Sequence, residues 1–445
     1  MILENQKTVV IGMGRTGIAT ANFLDNRGFP TTLVDQKSRK ELEAAARLVN
    51  GTVEMRCGTH EPPSDAKMII LSPGVDINDP VLDPARNRGA EILSEIELAF
   101  HFTQIPIIAV TGTNGKSTVT TLIGEILQRA GKKALVGGNI GTPFISLLDS
   151  GEADFLVLEI SSFQLEGTKS FRPKIALVLN ITPDHMDRHK TLESYAGLKE
   201  KITVNQAQED FLVLNHDDLH TMKLGEDKPA RKVFFSSLSE VEEGAFLRNG
   251  SIVLRISGEE ETILCFMDNL NQTMQWQIEN VLAAVAAASL AGVSPEVIAE
   301  TIKDFKGLNH RMEWVRSIGG IDFVNDSKGT NVGSVQKSLS NFPRPVILIA
   351  GGSDKGSDFS SLKQILKERV KHLILIGETK NKFRQVLNGS FNYEEAKDLD
   401  EAVKQAYQKA EWGDVVLLSP ACASFDMFKD YAERGDRFKS LVNRI

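Results

Sequence analysis

Short apolar runs alternate with helical stretches along most of this chain, and that grammar confines it to α/β folds built on parallel sheets. TVVIG at Thr8–Gly12 reads as a buried strand, Thr16–Arg27 as the helix after it, TTLVD at Thr31–Asp35 as a second strand and KMIILS at Lys67–Ser72 as a third. A second series begins with IPIIAVTG at Ile105–Gly112, continues through strands at Phe155–Ile160, Lys174–Ile181 and Phe211–Leu214, and closes with the apolar helix Val281–Ala291. Residues 226–258 within it are rich in charge and in short β-like alternations, and they give no clear order of elements. A third series starts near Phe305, with strands at Ile321–Asn325, Pro345–Ala350, Leu373–Ile376 and Asp414–Leu418. Breaks near Leu93 and Lys303 divide the chain into residues 1–93, 94–303 and 304–445.

The 445 residues suit two to four domains at about 100–200 residues each. A formal charge of -8 argues against nucleic acid as the main partner, since phosphate backbones select a basic footprint. Small anionic substrates stay open, because a local basic site can sit on an acidic protein. Cys57, Cys265 and Cys422 are far apart and match neither metal spacing nor a disulfide framework. The N-terminus shows no signal-peptide pattern and no stretch reaches the ~18 apolar residues of a membrane span, so a cytoplasmic location is expected.

The sharpest motif is VTGTNGKSTVT at Val110–Thr120, set between a strand and a helix. Gly112-x-x-Gly115-Lys116-Ser117 is the core of a phosphate loop, with Val110 at the usual first glycine position. Its glycines let backbone N–H groups face phosphates, and the helix N-terminus adds a positive dipole end. Lys116 supplies a point charge for the β/γ-phosphates and Ser117 a hydroxyl for Mg²⁺. A second glycine motif, Gly12-Met13-Gly14-Arg15-Thr16-Gly17, also links strand to helix, and Asp35 ends the next strand where a ribose-binding acid would stand. Such a turn accepts any pyrophosphate, so a dinucleotide and a UDP-sugar fit equally; an independent triphosphate loop makes a plain dehydrogenase the lesser fit.

Other residues are less decided by pattern. Glu159 ends the strand FLVLEI, where it can bind Mg²⁺ or serve as a salt-bridged strand end. His185, in DHMDRH, can bind metal or hold a carboxylate, though a lone histidine is more often packed or at the surface. Lys199 lies on an amphipathic helix, and spacing gives it solvent as a neighbour. Asp326 and Lys328 in NDSKGTN can address ribose and phosphate, or the segment can simply cap a helix. Gly351–Gly356, with Lys355, can close an anion site, and Ser419–Ser424 offers a helix N-terminus to a carboxylate.

In their order, GTNGKST, LEISSFQLE, NITPDHMDRH, GLNHRMEW, NDSKGTN and LLSPACASFD resemble the Mur ligases of peptidoglycan synthesis over essentially the whole chain. The resemblance implies three α/β domains with mostly parallel sheets: an N-terminal Rossmann-like domain for the uridine nucleotide, a central P-loop ATPase and a C-terminal Rossmann-like domain for the amino acid. It implies ATP held by Gly112, Thr113, Asn114, Gly115, Lys116, Ser117 and Thr118, with Asn280, Arg311, Asp326 and Lys328 on adenosine and phosphate. Two Mg²⁺ ions are implied, at Ser117, Glu159, His185 and Lys199, the last as a carbamate. Lys116, His185 and Lys199 are the implied catalytic residues. The nucleotide sugar would contact Gly14, Arg15, Thr16, Asp35, Gln36, Lys37, Ser72, Pro73, Gly74, Asn139 and Gln164; the amino acid would contact Thr330, Lys355, Ser424 and Tyr431.

The glycine-rich opening with Asp35 suits the branch that adds D-glutamate to UDP-N-acetylmuramoyl-L-alanine, acting as a monomer through an acyl phosphate. An Asp-Asn-Pro-Arg motif of the diaminopimelate- or lysine-adding branch is absent from the sequence. Another Mur-type or folate-type ligase, and a nucleotide-binding dehydrogenase, are the competing readings. The sequence departs from the family at Trp276-Gln277, where His-Asn is common, at Gln36-Lys37, where Thr-Arg is common, and at Tyr431, where Phe is common. Lys37 keeps the charge of an arginine but loses its bidentate fork.

Overall fold

The computed structural model describes residues 7–445 apart from 225, 257–259, 354, 355, 357, 388 and 390, and the backbone alone of residue 187. The described residues form three sheets in two compact units. The first unit comprises Met1–Ile181, His185–Cys265 and Glu279–Ile302; the second comprises Thr182–Asp184, Phe266–Ile278 and Lys303–Ile445.

Two sheets belong to the first unit. One runs, edge to edge, Glu54–Cys57, Thr31–Asp35, Thr8–Ile11, Met68–Leu71 and Glu91–Ser94, all parallel. Its central strand is buried along its whole length, which is why it reads as a continuous apolar run. The other centres on Ile107–Thr111, flanked by Phe155–Glu159 and Ile175–Val178, and extends on one side through Ala134–Gly138 and on the other through Phe211–Asn215, Arg231–Ser236, Gly244–Arg248, Ser251–Arg255 and Thr262–Phe266. The two sheets share one core, in which Ile96 and Leu98 meet Phe144, Leu165 and Phe171.

The segment without clear order in the sequence is a sheet extension that turns antiparallel at Gly244–Arg248 and Ser251–Arg255. Its charges pair with one another on the surface: Arg248 and Arg255 both meet Glu240 and Glu261. Strands Glu54–Cys57, Ala134–Gly138 and Tyr393–Glu395 also lacked a sequence signal. They lie at sheet edges and are short, polar or glycine-ended, so hydrophobic patterning does not mark them.

The second unit holds Glu313–Ile318, Ile321–Asn325, Val415–Leu418, Val346–Gly351, Val370–Ile376 and Tyr393–Glu395, parallel except for the first pair. Segment Phe266–Ile278 joins it through Trp276, whose ring packs edge-on to Phe342 at 5.0 Å, and through the Thr273 hydroxyl, which accepts from the Trp314 amide at 3.1 Å. Asp184 joins it by accepting from Asn331 Nδ2 at 3.0 Å.

Candidate functional site

In the first unit the helix Lys116–Arg129 forms because Val119, Leu122, Ile123, Ile126 and Leu127 recur at helical spacing and are all buried. Its N-cap, Gly115, has φ 89°, and the Asn280 carboxamide fills the space a β-carbon would need. Two residues assigned to the nucleotide, Gly115 and Asn280, are thereby brought into contact. Lys116 Nζ donates to the carbonyls of Gly112 at 2.7 Å and Thr113 at 2.8 Å, so its charge lies inside the loop. The loop is clamped from the next strand end by Asn180, the first residue of NITPDHMDRH, whose side chain carries no role in the sequence pattern. Its Oδ1 accepts from the Asn114 amide at 2.8 Å and its Nδ2 donates to the Asn114 carbonyl at 3.1 Å. Its position directly after an apolar strand was the available signal.

Glu159 is 2% exposed and sits at the centre of the polar site. Ser117 Oγ donates to its Oε2 at 2.5 Å and Asn139 Nδ2 to its Oε1 at 2.6 Å. A phosphate-loop hydroxyl, a carboxylate and an amide assigned to the sugar therefore share one point. His185 is exposed, with φ 54°, and its ring meets Phe163 edge-on at 5.0 Å. Lys199 overturns its expected solvent neighbour: it is 1% exposed, with Nζ 4.3 Å from the centre of the Tyr195 ring. Tyr195 in turn packs on His189 and His189 stacks on Phe163, so one aromatic column links Lys199 to His185. Spacing along a helix could not reveal that column, because it is made by three segments.

Most nucleotide-sugar candidates gather around the first sheet, while Asn139 and Gln164 follow strands of the second. Gly17 carries no β-carbon because the Gly12 carbonyl occupies that place, and Ser72 Oγ donates to the same carbonyl at 2.9 Å. Asp35 braces both turns: Oδ2 accepts from the Met13 amide at 2.7 Å and Oδ1 from the Lys37 amide at 2.9 Å. Gly14, Arg15, Gln36, Lys37 and Gly74 are exposed, and Thr16 and Pro73 half-buried. Gln164 uses its oxygen locally, accepting from the Ser161 amide at 3.0 Å in a capping box. Just beyond Gly74, Arg188 donates to Glu166 at 2.6 Å and reaches Asp76 at 3.2 Å. These three residues line a groove of about 710 Å³.

Glu95 lies among these segments and is not part of any motif read above. It is 2% exposed; one carboxyl oxygen accepts from the Ile145 amide at 2.7 Å, and the other has no partner among the described residues. Burial pushes its carboxyl from 4.5 up to about 7. The folded form thus holds its proton more tightly than the unfolded one, so stability falls as pH rises from 4.5 to about 7 and stays lost above it. Glu95→Gln should match the wild type near pH 4.5 and exceed it by about 3 kcal/mol at pH 8, read from urea midpoints at both pH values. An equal difference at both pH values would show that burial leaves the titration of the carboxyl unchanged.

The second unit carries the remaining candidates. Arg311 stands between His310 and Met312, both left-handed at φ 63° and 50°, a strained presentation typical of functional loops. Gln277 Nε2 donates to the Arg311 carbonyl at 3.1 Å, so the amide at the departure from His-Asn supports this loop. Asp326 is 6% exposed; its carboxylate accepts from Ser338 and Ser419, each at 2.7 Å, and burial pushes it up to about 6. Lys328 Nζ lies 4.0 Å from the centre of the Tyr431 ring, which brings together a phosphate candidate and an amino-acid candidate. Thr330 is half-buried, and its amide bonds the Lys328 carbonyl at 2.8 Å. Ser424 is buried in the loop whose neighbour Ala423 accepts from the Ser353 amide at 2.9 Å. Lys355 falls outside the described residues.

Arg434 escaped the sequence reading because nothing in its helical context distinguishes it from a surface arginine. It is 0% exposed. Its guanidinium donates to Ser327 Oγ and O, each at 2.9 Å, and to the carbonyls of Cys422 and Ala423, each at 3.2 Å. It therefore ties the NDSKG loop to the SPACAS loop.

Comparison with known proteins matches these geometries. Residues 6–94 match the Mur ligase MurD-like N-terminal domain, 110–288 the Mur ligase middle domain and 310–422 the Mur ligase glutamate ligase domain. Over 449 residues, covering 100% of this chain and 99% of the relative, the sequence is 45% identical to a UDP-N-acetylmuramoylalanine–D-glutamate ligase of Geotalea uraniireducens (strain Rf4). It is 43% identical over 454 residues, 100% of both chains, to the protein of that name from Thermoanaerobacter sp. (strain X514). Among solved structures it resembles MurF from Acinetobacter baumannii, with a TM-score of 0.61 at 16% identity over 97% of this chain and 93% of that one. A pseudomurein peptide ligase type C from Methanothermus fervidus gives 0.59 at 19% identity over 99% and 100%. The structural likenesses establish the fold, and the family models with the full-length sequence relatives place this chain in the Mur ligase family.

Proposed function

We propose that this protein is an ATP-dependent ligase that joins D-glutamate to UDP-N-acetylmuramoyl-L-alanine during cytoplasmic synthesis of peptidoglycan precursors. The full-length identity of 43% to a relative bearing the name of that ligase carries the reading. The L-alanyl carboxylate attacks the γ-phosphorus of ATP, giving an acyl phosphate and ADP. The amine of D-glutamate then attacks the acyl carbon, loses a proton, and phosphate departs as the amide forms.

Each part of the chain has work in this scheme. Lys116 can exchange its two loop carbonyls for phosphate oxygens and neutralise charge on the transferred group. Asn280 and Asn180 hold the loop from either side. The Ser117 hydroxyl and Glu159 carboxylate, 2.5 Å apart, form a hard-oxygen pair that suits Mg²⁺, with exposed His185 as a further ligand. Among the described residues there is no cluster of three acidic, histidine or cysteine ligands, so phosphate and water would have to complete the ion's shell. When bound, it would supply positive charge to the phosphoryl oxygens. Lys199, 1% exposed with its Nζ against the Tyr195 ring, would on this reading act as a carbamate toward the second Mg²⁺. Aligning the reactants is worth about 7–11 kcal/mol, so positioning carries most of the rate.

The uridine nucleotide lies against Asp35, Ser72 and the first glycine turn, and the amino acid in the second unit near Thr330, Lys355, Ser424 and Tyr431. No described helix is long and apolar enough to cross a membrane. The protein acts as a monomer, with two Mg²⁺ ions and without nucleic acid. The test is phosphate release from ATP and UDP-N-acetylmuramoyl-L-alanine with D-glutamate, L-glutamate, L-alanine or diaminopimelate. Release should depend on D-glutamate alone; equal release with L-glutamate or diaminopimelate would defeat the assignment.

A further inference from the structure

Three separate segments assigned to the nucleotide sugar meet at one buried side chain. The strand Glu91–Ser94 ends beside Glu95, and the Ser94 amide bonds the Gly167 carbonyl at 3.0 Å. Gly167 lies so close to Ser94 that a β-carbon has no room, so helix Ser162–Glu166, which carries Gln164, is seated directly on this corner. From another side, Glu95 accepts from the amide of Ile145, in the first turn of helix Phe144–Leu147. The loop that leads into that helix carries Asn139. From a third side, Ser72 and Pro73 join Glu95, Phe163 and Gln164 around a cavity of about 10 Å³. That volume is near the smallest that holds one water, and Glu95, whose second oxygen has no protein partner among the described residues, is one of the residues that line it.

We infer that Glu95 is a positioning residue for the nucleotide sugar: its carboxyl anchors the Asn139 segment through Ile145 and the Ser72–Pro73 and Gln164 segments through one water in this cavity. The inference rests on the reading that those segments bind the nucleotide sugar. Glu95 is well placed for such work and poorly placed for stability, since its second oxygen is buried without a protein partner among the described residues. Sites that keep an unsatisfied buried group at a cost to stability are commonly functional.

The experiment is steady-state kinetics of the full chain with each substrate varied in turn. Glu95→Ala removes both the acceptor for Ile145 and the water's anchor. It should raise KM for UDP-N-acetylmuramoyl-L-alanine at least tenfold, with kcat and the KM values for ATP and D-glutamate changed less than about threefold. Glu95→Gln, which keeps the acceptor, should recover most of that loss. Where Glu95→Ala fails to fold, Glu95→Asp, too short to span to Ile145, takes its place with the same expectation. An unchanged KM for the nucleotide sugar, or an equal rise in all three KM values, overturns the inference. Asn139→Ala and Gln164→Ala run alongside as controls. If they leave that KM unchanged, the assignment of the sugar site has failed; if they raise it and Glu95→Ala does not, only the role of Glu95 has failed.

Discussion

Lys116→Ala should lower ATP-dependent turnover by about a thousandfold or more, because phosphoryl transfer draws its acceleration from charge placed around the moving group. The fold should survive. The Gly112 and Thr113 carbonyls that accept from this lysine belong to the buried start of the turn, and the helix behind it is held by its apolar stripe. Losing two hydrogen bonds of this kind costs about 1–3 kcal/mol, within reach of a domain's stability. The check is kcat alongside a urea titration. Turnover near that of the parent would remove Lys116 from the chemistry, while a collapsed urea midpoint would mean that the loop scaffolds the domain.

The second large effect is structural. Arg434→Met should destabilise the protein by about 4 kcal/mol, because the stem is retained while Ser327, Cys422 and Ala423 lose the donor their carbonyls share. Arg434→Lys should fall between the two, since an ammonium offers three donors and cannot reproduce the planar fork. The guanidinium is buried among carbonyls, and burial pulls it down to about 10, so it stays charged at neutral pH. Urea midpoints of the full chain give the comparison. A loss below about 1 kcal/mol for Arg434→Met would show that the two loops hold their shape without it.

The sequence disclosed most where chemistry and local structure coincide. The phosphate loop needs glycines, a lysine and a hydroxyl within a few residues, between a strand and a helix, so Gly112–Thr118 could be read directly. The central strands were legible because burial on both faces makes them uniformly apolar. Lys199, Glu95 and Arg434 were not legible, since their burial is created by segments far away in the chain. Pattern treats such a charge as solvated, and only the tertiary neighbours reveal it. Asn180 is intermediate: its place after an apolar strand was visible, but not its paired bonds to Asn114. The edge strands stayed hidden for a different reason, being short and either polar or glycine-ended.

Arg188 holds two acids of unequal exposure, Glu166 with 8% of its side chain accessible and Asp76 with 40%. At physiological salt, charges in open solvent are screened over about 8 Å, whereas a sheltered pair keeps most of its attraction. The inner half of this clasp therefore behaves as a fixed pivot, and the outer half as a latch that ionic strength can slip. Raised salt should therefore loosen the Asp76 contact before the Glu166 contact.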